Sequence, residues 1–200
     1  MASRVETFDL FATRIWIFDL DALRANFPTW RSEIGRLRQE NPGAAGRSNR
    51  LGWNSEATLF TNPAFAALDA ACKEACEFVF KQMNAMRPFR IHLDAWANVH
   101  DRGAYNRDHI HGGALLSGCF YLTVPPGSGP LVFNDPRIGA TLSPFTGQQI
   151  NSGHAVSVDP IEGRLILFPN WLSHGVEPHG AAQPRVSICM NAAWSATALP

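Results

Sequence analysis

His109 and His111 stand one residue apart, and His174, the histidine best placed to join them, lies far along the chain. Side chains of extended backbone alternate between two faces, so a His-x-His pair on a strand presents both rings to one side. His174 reaches the same point only if the fold brings two strands together. Imidazole is the commonest protein ligand for mid-row transition metals, so the three rings read as a metal site. Arg185 follows His174 as a permanent cation able to hold the carboxylate of an organic acid beside that metal.

The chain around these residues has the texture of strands. Ile91 to His100 alternates, with Ile91, Leu93, Ala95, Ala97 and Val99 on one face and His92, Asp94, Trp96, Asn98 and His100 on the other. Strands are also expected at Leu115 to Val124, Leu131 to Phe133, His154 to Val158, Arg164 to Phe168 and Val186 to Trp194. Pro125-Pro126-Gly127, Asp159-Pro160, Phe168-Pro169 and Gly180 to Pro184 supply the turns. This spacing argues for a barrel or sandwich. The His109–His111 pair is placed at the start of one such strand, and His174 just after another.

Residues 1–90 read differently. Thr13 to Asp19 is β-branched and aromatic, as in a strand. A helical pattern then runs from about Asp21 to Glu40, with Pro28 inside it, so that the helix begins late or is split in two. Asn62 offers a cap and Pro63 a first position for a second helix, whose core stripe is Phe65, Leu68, Cys72, Ala75, Val79 and Met83, with Pro88 as its stop. The expectation is a mainly β protein with flanking α-helices. It forms one domain over 1–200, with a helical flank over 1–90 and a β-core over 91–195.

Composition narrows the partners. With 46% hydrophobic residues the chain can bury a sizeable core, and with Lys+Arg and Asp+Glu both 17 it has no basic field for nucleic acid. No apolar run reaches membrane-spanning length, and the first residues lack a signal-peptide core, so a reducing cytoplasm is expected. The four cysteines are too few for a disulfide scaffold, and Cys72 and Cys76 read as small buried residues of a helix.

Each remaining histidine (His92, His100, His154 and His179) is read as a surface or hydrogen-bonded ring without a metal role. A structural zinc would want four ligands, usually with cysteine, and only three converge here. Three protein ligands leave positions open for substrate and oxygen, which points to catalytic Fe(II).

His109-x-His111, the run SGCFYLTVPPGSGPLVFNDPR, Pro160-x-Glu162-Gly163-Arg164 through Pro169, Trp171, His174 and Arg185-x-Ser187 resemble the 2-oxoglutarate–Fe(II) oxygenases. The resemblance covers about Trp96 to Asn191, and SNRLGWNS (Ser48 to Ser55) also looks like these proteins. It implies a double-stranded β-helix (a cupin-like jelly roll) with Fe(II) at its mouth and 2-oxoglutarate chelating the iron, its far carboxylate on Arg185. It also implies oxidative decarboxylation of 2-oxoglutarate to succinate and CO2, coupled to hydroxylation of a C–H bond. Ser187 shares a face with Arg185. Tyr121 shares parity with the histidine pair if the strand runs on without a bulge, and is a second contact to the co-substrate. Asn98, and with it Trp96, would line the pocket.

One departure stands out. Where these enzymes keep a carboxylate two residues after the first histidine, this chain has His111. Asp108 could substitute only through a bulge, and Asp135 lies in a loop. Gly103 followed by His109-x-His111 also fits the opening of the cupin signature, so a three-histidine cupin dioxygenase without 2-oxoglutarate is one alternative. A non-enzymatic metal- or ligand-binding β-helix is the other. The prime substrate stays open between a small molecule and a peptide or protein side chain. Selection is expected from Arg137 to Gly153 and the N-terminal helical segment, and a homodimer through a sheet edge is admissible.

Overall fold

The computed structural model describes Arg4, Glu6 and residues 8–43, 48–83, 89–142 and 154–196. In chain order the strands are β1 (Trp16–Asp19), β2 (Asn49–Arg50), β3 (Trp53–Asn54), β4 (Phe89–His100), β5 (Tyr105–His109), β6 (Leu116–Thr123) and β7 (Leu131–Asn134). They continue with β8 (Ala155–Val158), β9 (Arg164–Pro169), β10 (His174–Val176) and β11 (Arg185–Ala196). Helix α1 spans Phe27–Glu40 and α2 spans Ala66–Gln82.

A six-stranded sheet in the order β1-β9-β6-β11-β4-β3 faces a five-stranded sheet in the order β2-β5-β10-β7-β8. All named strands pair antiparallel, and the result is the expected double-stranded β-helix. Alternation divides the larger sheet's side chains between two environments. Ala95, Ala97, Val99, Phe120, Ile188 and Met190 pack with Trp30, Phe65, Leu68 and Val79 of the helical flank. Cys119, Tyr121 and Cys189 lie on the other face, with Leu131, Phe133 and Phe168.

Local chemistry explains the flank. Pro28 ends up in the first turn of α1, where its missing N–H breaks no helical bond, and Asp21–Asn26 forms a separate 3-10 turn before it. The Asn62 side chain accepts from the backbone N–H of Ala64 at 3.0 Å, capping a 3-10 turn, Pro63–Phe65, that leads into α2. Trp30 Nε1–H donates to the Ala64 carbonyl at 2.8 Å and so joins the two helices. Cys72 and Cys76 are buried, and burial raises both thiols, Cys76 to about 12. Met83 departs from the expected stripe. It is 54% exposed, because α2 ends at Gln82 and the core face ends with it. The stop at Pro88 lies outside the described residues.

The histidine pair is also arranged differently from the expectation. His109 ends β5 instead of starting a strand, and His111 lies beyond it, before β6 begins. Tyr-Asn-Arg-Asp-His is polar on both faces, so it carries no alternation of hydrophobicity by which a strand is recognised. Strands β2, β3 and β10 are only two or three residues long and escape a periodicity argument for that reason. Tyr121 therefore shares no strand with the histidines. It is on β6, in the opposite sheet.

Candidate metal centre

His174, the first residue of β10, is the direct cross-strand partner of His109 on β5. His111 joins them from the connection after β5, and one ring nitrogen of each histidine lies within 4.8 Å of the others. Two of the rings are fixed by the backbone. His109 Nδ1–H donates to the Arg107 carbonyl at 2.7 Å, and His174 Nδ1–H to the Leu172 carbonyl at 2.8 Å. Both Nε2 atoms therefore carry the lone pair that a metal requires. The Ser48 hydroxyl lies 3.3 Å from His109 Nε2, which explains why the segment Ser48 to Ser55 belongs with the site.

Electrostatics keeps the triad ready for a cation. Burial pushes His174 down to about 3, with His109 and His111 adding to the effect, and burial also lowers His109. His109 and His174 are thus neutral near pH 7. Neither acidic candidate joins them. Asp108 packs against Gly175, which follows His174, whereas Asp135 is held by Arg137 at 2.7 and 3.0 Å. The donor set fits a divalent ion bound by three neutral imidazoles with open positions beside them.

A cavity of about 570 Å3 connects the triad with Arg185, Ser187, Tyr121 and Asn98. Cross-strand register explains the grouping, because Ser187 on β11 pairs with Asn98 on β4 and with Tyr121 on β6. Arg185 is 2% exposed, donating from Nη1 to the Gly129 carbonyl at 2.7 Å and from Nη2 to His100 Nδ1. Among the described residues no carboxylate pairs with it, and its Nε, the Tyr121 hydroxyl and Asn98 Oδ1 are buried without a hydrogen-bond partner. Burial raises the Tyr121 hydroxyl, so it remains a donor. The two orphaned donors, Arg185 Nε–H and the Tyr121 hydroxyl, beside an unneutralised guanidinium fit a carboxylate ligand.

Residues 94–191, about half of the chain, match the family model described as "Putative 2OG-Fe(II) oxygenase". This segment belongs to the 2OG-Fe(II) oxygenase family. The oxygenase domain has the fold of several solved structures. A Pseudomonas putida prolyl-4-hydroxylase superposes with a TM-score of 0.67 at 16% identity, covering 92% of this chain and 95% of that one. HygX from Streptomyces hygroscopicus, solved with nickel and 2-oxoglutarate bound, gives 0.62 at 15%, covering 94% and 84%. A Trichoplax adhaerens prolyl hydroxylase in complex with a hypoxia inducible factor peptide fragment gives 0.60 at 14%, covering 89% and 82%. No curated protein sequence matches the chain.

The oxygenase site also contains residues that sequence reasoning missed. His100, read as an ordinary hydrogen-bonded ring, touches Arg185. Cys119 and Cys189 are cross-strand partners in the cavity wall, and the hydrogen bond between their thiols lowers Cys119 and raises Cys189. Trp96, by contrast, was expected beside Asn98, and it lines the cavity and stacks on His111, with ring centroids 5.9 Å apart. Parity on β4 and β11 held the signal for His100, since it occupies the same polar face as Asn98 and lies opposite Arg185. Of the loop expected to govern substrate choice, Ile138–Leu142 forms a 3-10 turn and residues 143–153 lie outside the described residues.

Proposed function

We propose that this single domain is a hydroxylase that holds Fe(II) on His109, His111 and His174 and 2-oxoglutarate on Arg185. Ser187 and Tyr121 assist at the far carboxylate, and Asn98 lines the same wall. The observation that carries the reading is the shared cavity, in which a buried arginine without a carboxylate partner among the described residues faces the three-histidine cluster. Bound there, the iron and the keto acid would supply the oxidative chemistry.

The chain's own contribution is orientation and electrostatics. Backbone carbonyls of Arg107 and Leu172 fix two rings, so the metal position is set before a ligand arrives. Three neutral imidazoles leave a divalent ion its full charge, which strengthens attraction for a dianionic keto acid. Apolar Leu131 and Phe168 in the cavity wall limit water near the charged groups.

The prime substrate is a small molecule or a peptide or protein side chain. Compounds of both kinds are named in the complexes of proteins with this fold, a hypoxia inducible factor peptide in one and hygromycin B in another. A reducing cytoplasm suits four free cysteines, two of which face the cavity. A homodimer in this reading would pair through one of the edge strands β1, β3, β2 or β8.

Anaerobic titration of the Fe(II) protein with 2-oxoglutarate tests the proposal. A visible charge-transfer band and oxygen-dependent succinate formation are expected. A three-histidine cupin dioxygenase would give neither with 2-oxoglutarate, and a structural metal site would show no exchangeable water.

A further inference from the structure

Most buried arginines are neutralised by a carboxylate, because an unpaired buried charge is costly. Arg185 has two uncharged partners instead, the Gly129 carbonyl and the His100 ring. His100 lies directly opposite it, on β4 against β11, and is 1% exposed. Since a guanidinium can only donate, His100 Nδ1 must accept, which places the ring proton on Nε2 and leaves the ring neutral. Burial, Arg185 and His179 all favour that state and bring His100 down to about 3. The ring is clamped in turn. A Cβ at Gly52 would approach its Cδ2 to 2.8 Å, so the β2–β3 turn closes tightly against it.

Resting on the 2-oxoglutarate reading above, we propose that His100 is a positioning residue for the keto acid, aiming the Arg185 guanidinium into the cavity while leaving its charge uncancelled. An aspartate at this position would orient the guanidinium equally well but close an internal ion pair, and the keto acid would then meet a neutralised anchor. A neutral acceptor separates orientation from neutralisation. The unpartnered Nε–H of Arg185 is left to meet the ligand's far carboxylate.

Two nearly isosteric variants separate these effects, since the Oδ1 atom of either side chain can take the place of His100 Nδ1. His100→Asn keeps a neutral acceptor, and His100→Asp adds a charge. The readouts are iron stoichiometry, the 2-oxoglutarate dissociation constant from the anaerobic charge-transfer band, and KM against kcat for succinate formation. His100→Asn is expected within ~3-fold of the parent in 2-oxoglutarate affinity, and His100→Asp at least ~10-fold weaker, both with iron retained and kcat little changed at saturation. Equal affinities for the two variants overturn the proposal, because a packing role treats the pair alike. If His100→Asp does not hold iron, His100→Ala decides. A KM at least ~5-fold raised with kcat kept supports the role, and an unchanged KM overturns it. A parent protein that shows no band and no succinate overturns the site reading and this inference together, whereas a parent that binds while its variants are unaffected overturns only the inference.

Discussion

His174 and His109 face each other as direct partners across β10 and β5, and each has its Nδ1–H tied to a backbone carbonyl two residues earlier. The metal position is thus a property of two strands in register. Removing either ring should abolish the site without unfolding the sheet. For His174→Ala, iron content after anaerobic reconstitution should fall to background, a larger loss than the ~10–100-fold that follows removal of an outer hydrogen-bond partner. Retained stoichiometric iron would falsify the triad.

Arg185→Ala separates metal from keto acid. The hydrogen-bond partners of the arginine are Gly129 and His100, outside the triad, so iron content should stay at the parent level. Truncating one partner of a buried charge pair costs ~2–5 kcal/mol, so 2-oxoglutarate affinity should drop by at least ~30-fold. Equilibrium titration of the charge-transfer band checks both halves.

His111→Asp restores the carboxylate that comparable iron sites carry. Iron should still bind, because a carboxylate is an adequate ligand. The metal's net charge falls by one, so 2-oxoglutarate should bind less tightly than in the parent, by several-fold. Tighter keto-acid binding in the variant would contradict the electrostatic account of three neutral ligands.

Acid should destabilise the metal-free protein through His100 and His174, both held at about 3. In the unfolded chain each ring takes up a proton near pH 6.5, while in the fold it stays neutral until about 3. The unfolded state therefore binds more protons across that window. The stabilising contribution of each ring is complete above pH 6.5 and is lost as the pH falls toward 3, on the order of a few kcal/mol. Urea unfolding between pH 7 and 4 should show a falling midpoint, and a flat midpoint would show that the two rings are not buried neutral.

Gly129 connects backbone packing to ligand affinity. Its carbonyl accepts from Arg185, and a Cβ there would collide with the Glu177 carbonyl oxygen and come within 2.9 Å of the Pro178 carbonyl oxygen. Both obstacles are backbone, so the chain there must move. Gly129→Ala should cost ~1–3 kcal/mol of stability and weaken 2-oxoglutarate while iron content is unchanged. Thermal unfolding and the anaerobic titration measure the two effects separately.

What could be read from the sequence follows from where each residue's signal lies. The three ligand histidines and Arg185 stand out because their chemistry is rare and their spacing demands convergence. In the larger sheet β4 and β11 alternate because one face packs against helices, whereas β6 and β9 read as apolar runs buried on both faces, so all four are legible. Strand β5 is not, since its residues are polar on both sides. Tyr121 reached the cavity, though not by the parity expected of it, because β6 belongs to the opposite sheet. The Cys119–Cys189 pair carries no local signal, and His100 shows only its place on the polar face with Asn98. Their roles exist only in register, when β11 lies between β4 and β6.

That central strand has a consequence for how such a protein can change. Arg185, Ser187, Cys189 and Asn191 occupy alternate positions of β11 and line the cavity in order. At about 3.3 Å per residue the series spans about 20 Å. Arg185, the proposed co-substrate anchor, and Asn191 are thus opposite ends of one stiff rod, paired on both sides. Under the proposed function, substitutions at the Asn191 end can change what the cavity admits while the Arg185 end keeps the same reagent in place. Evolvability and conservatism are here built into a single strand.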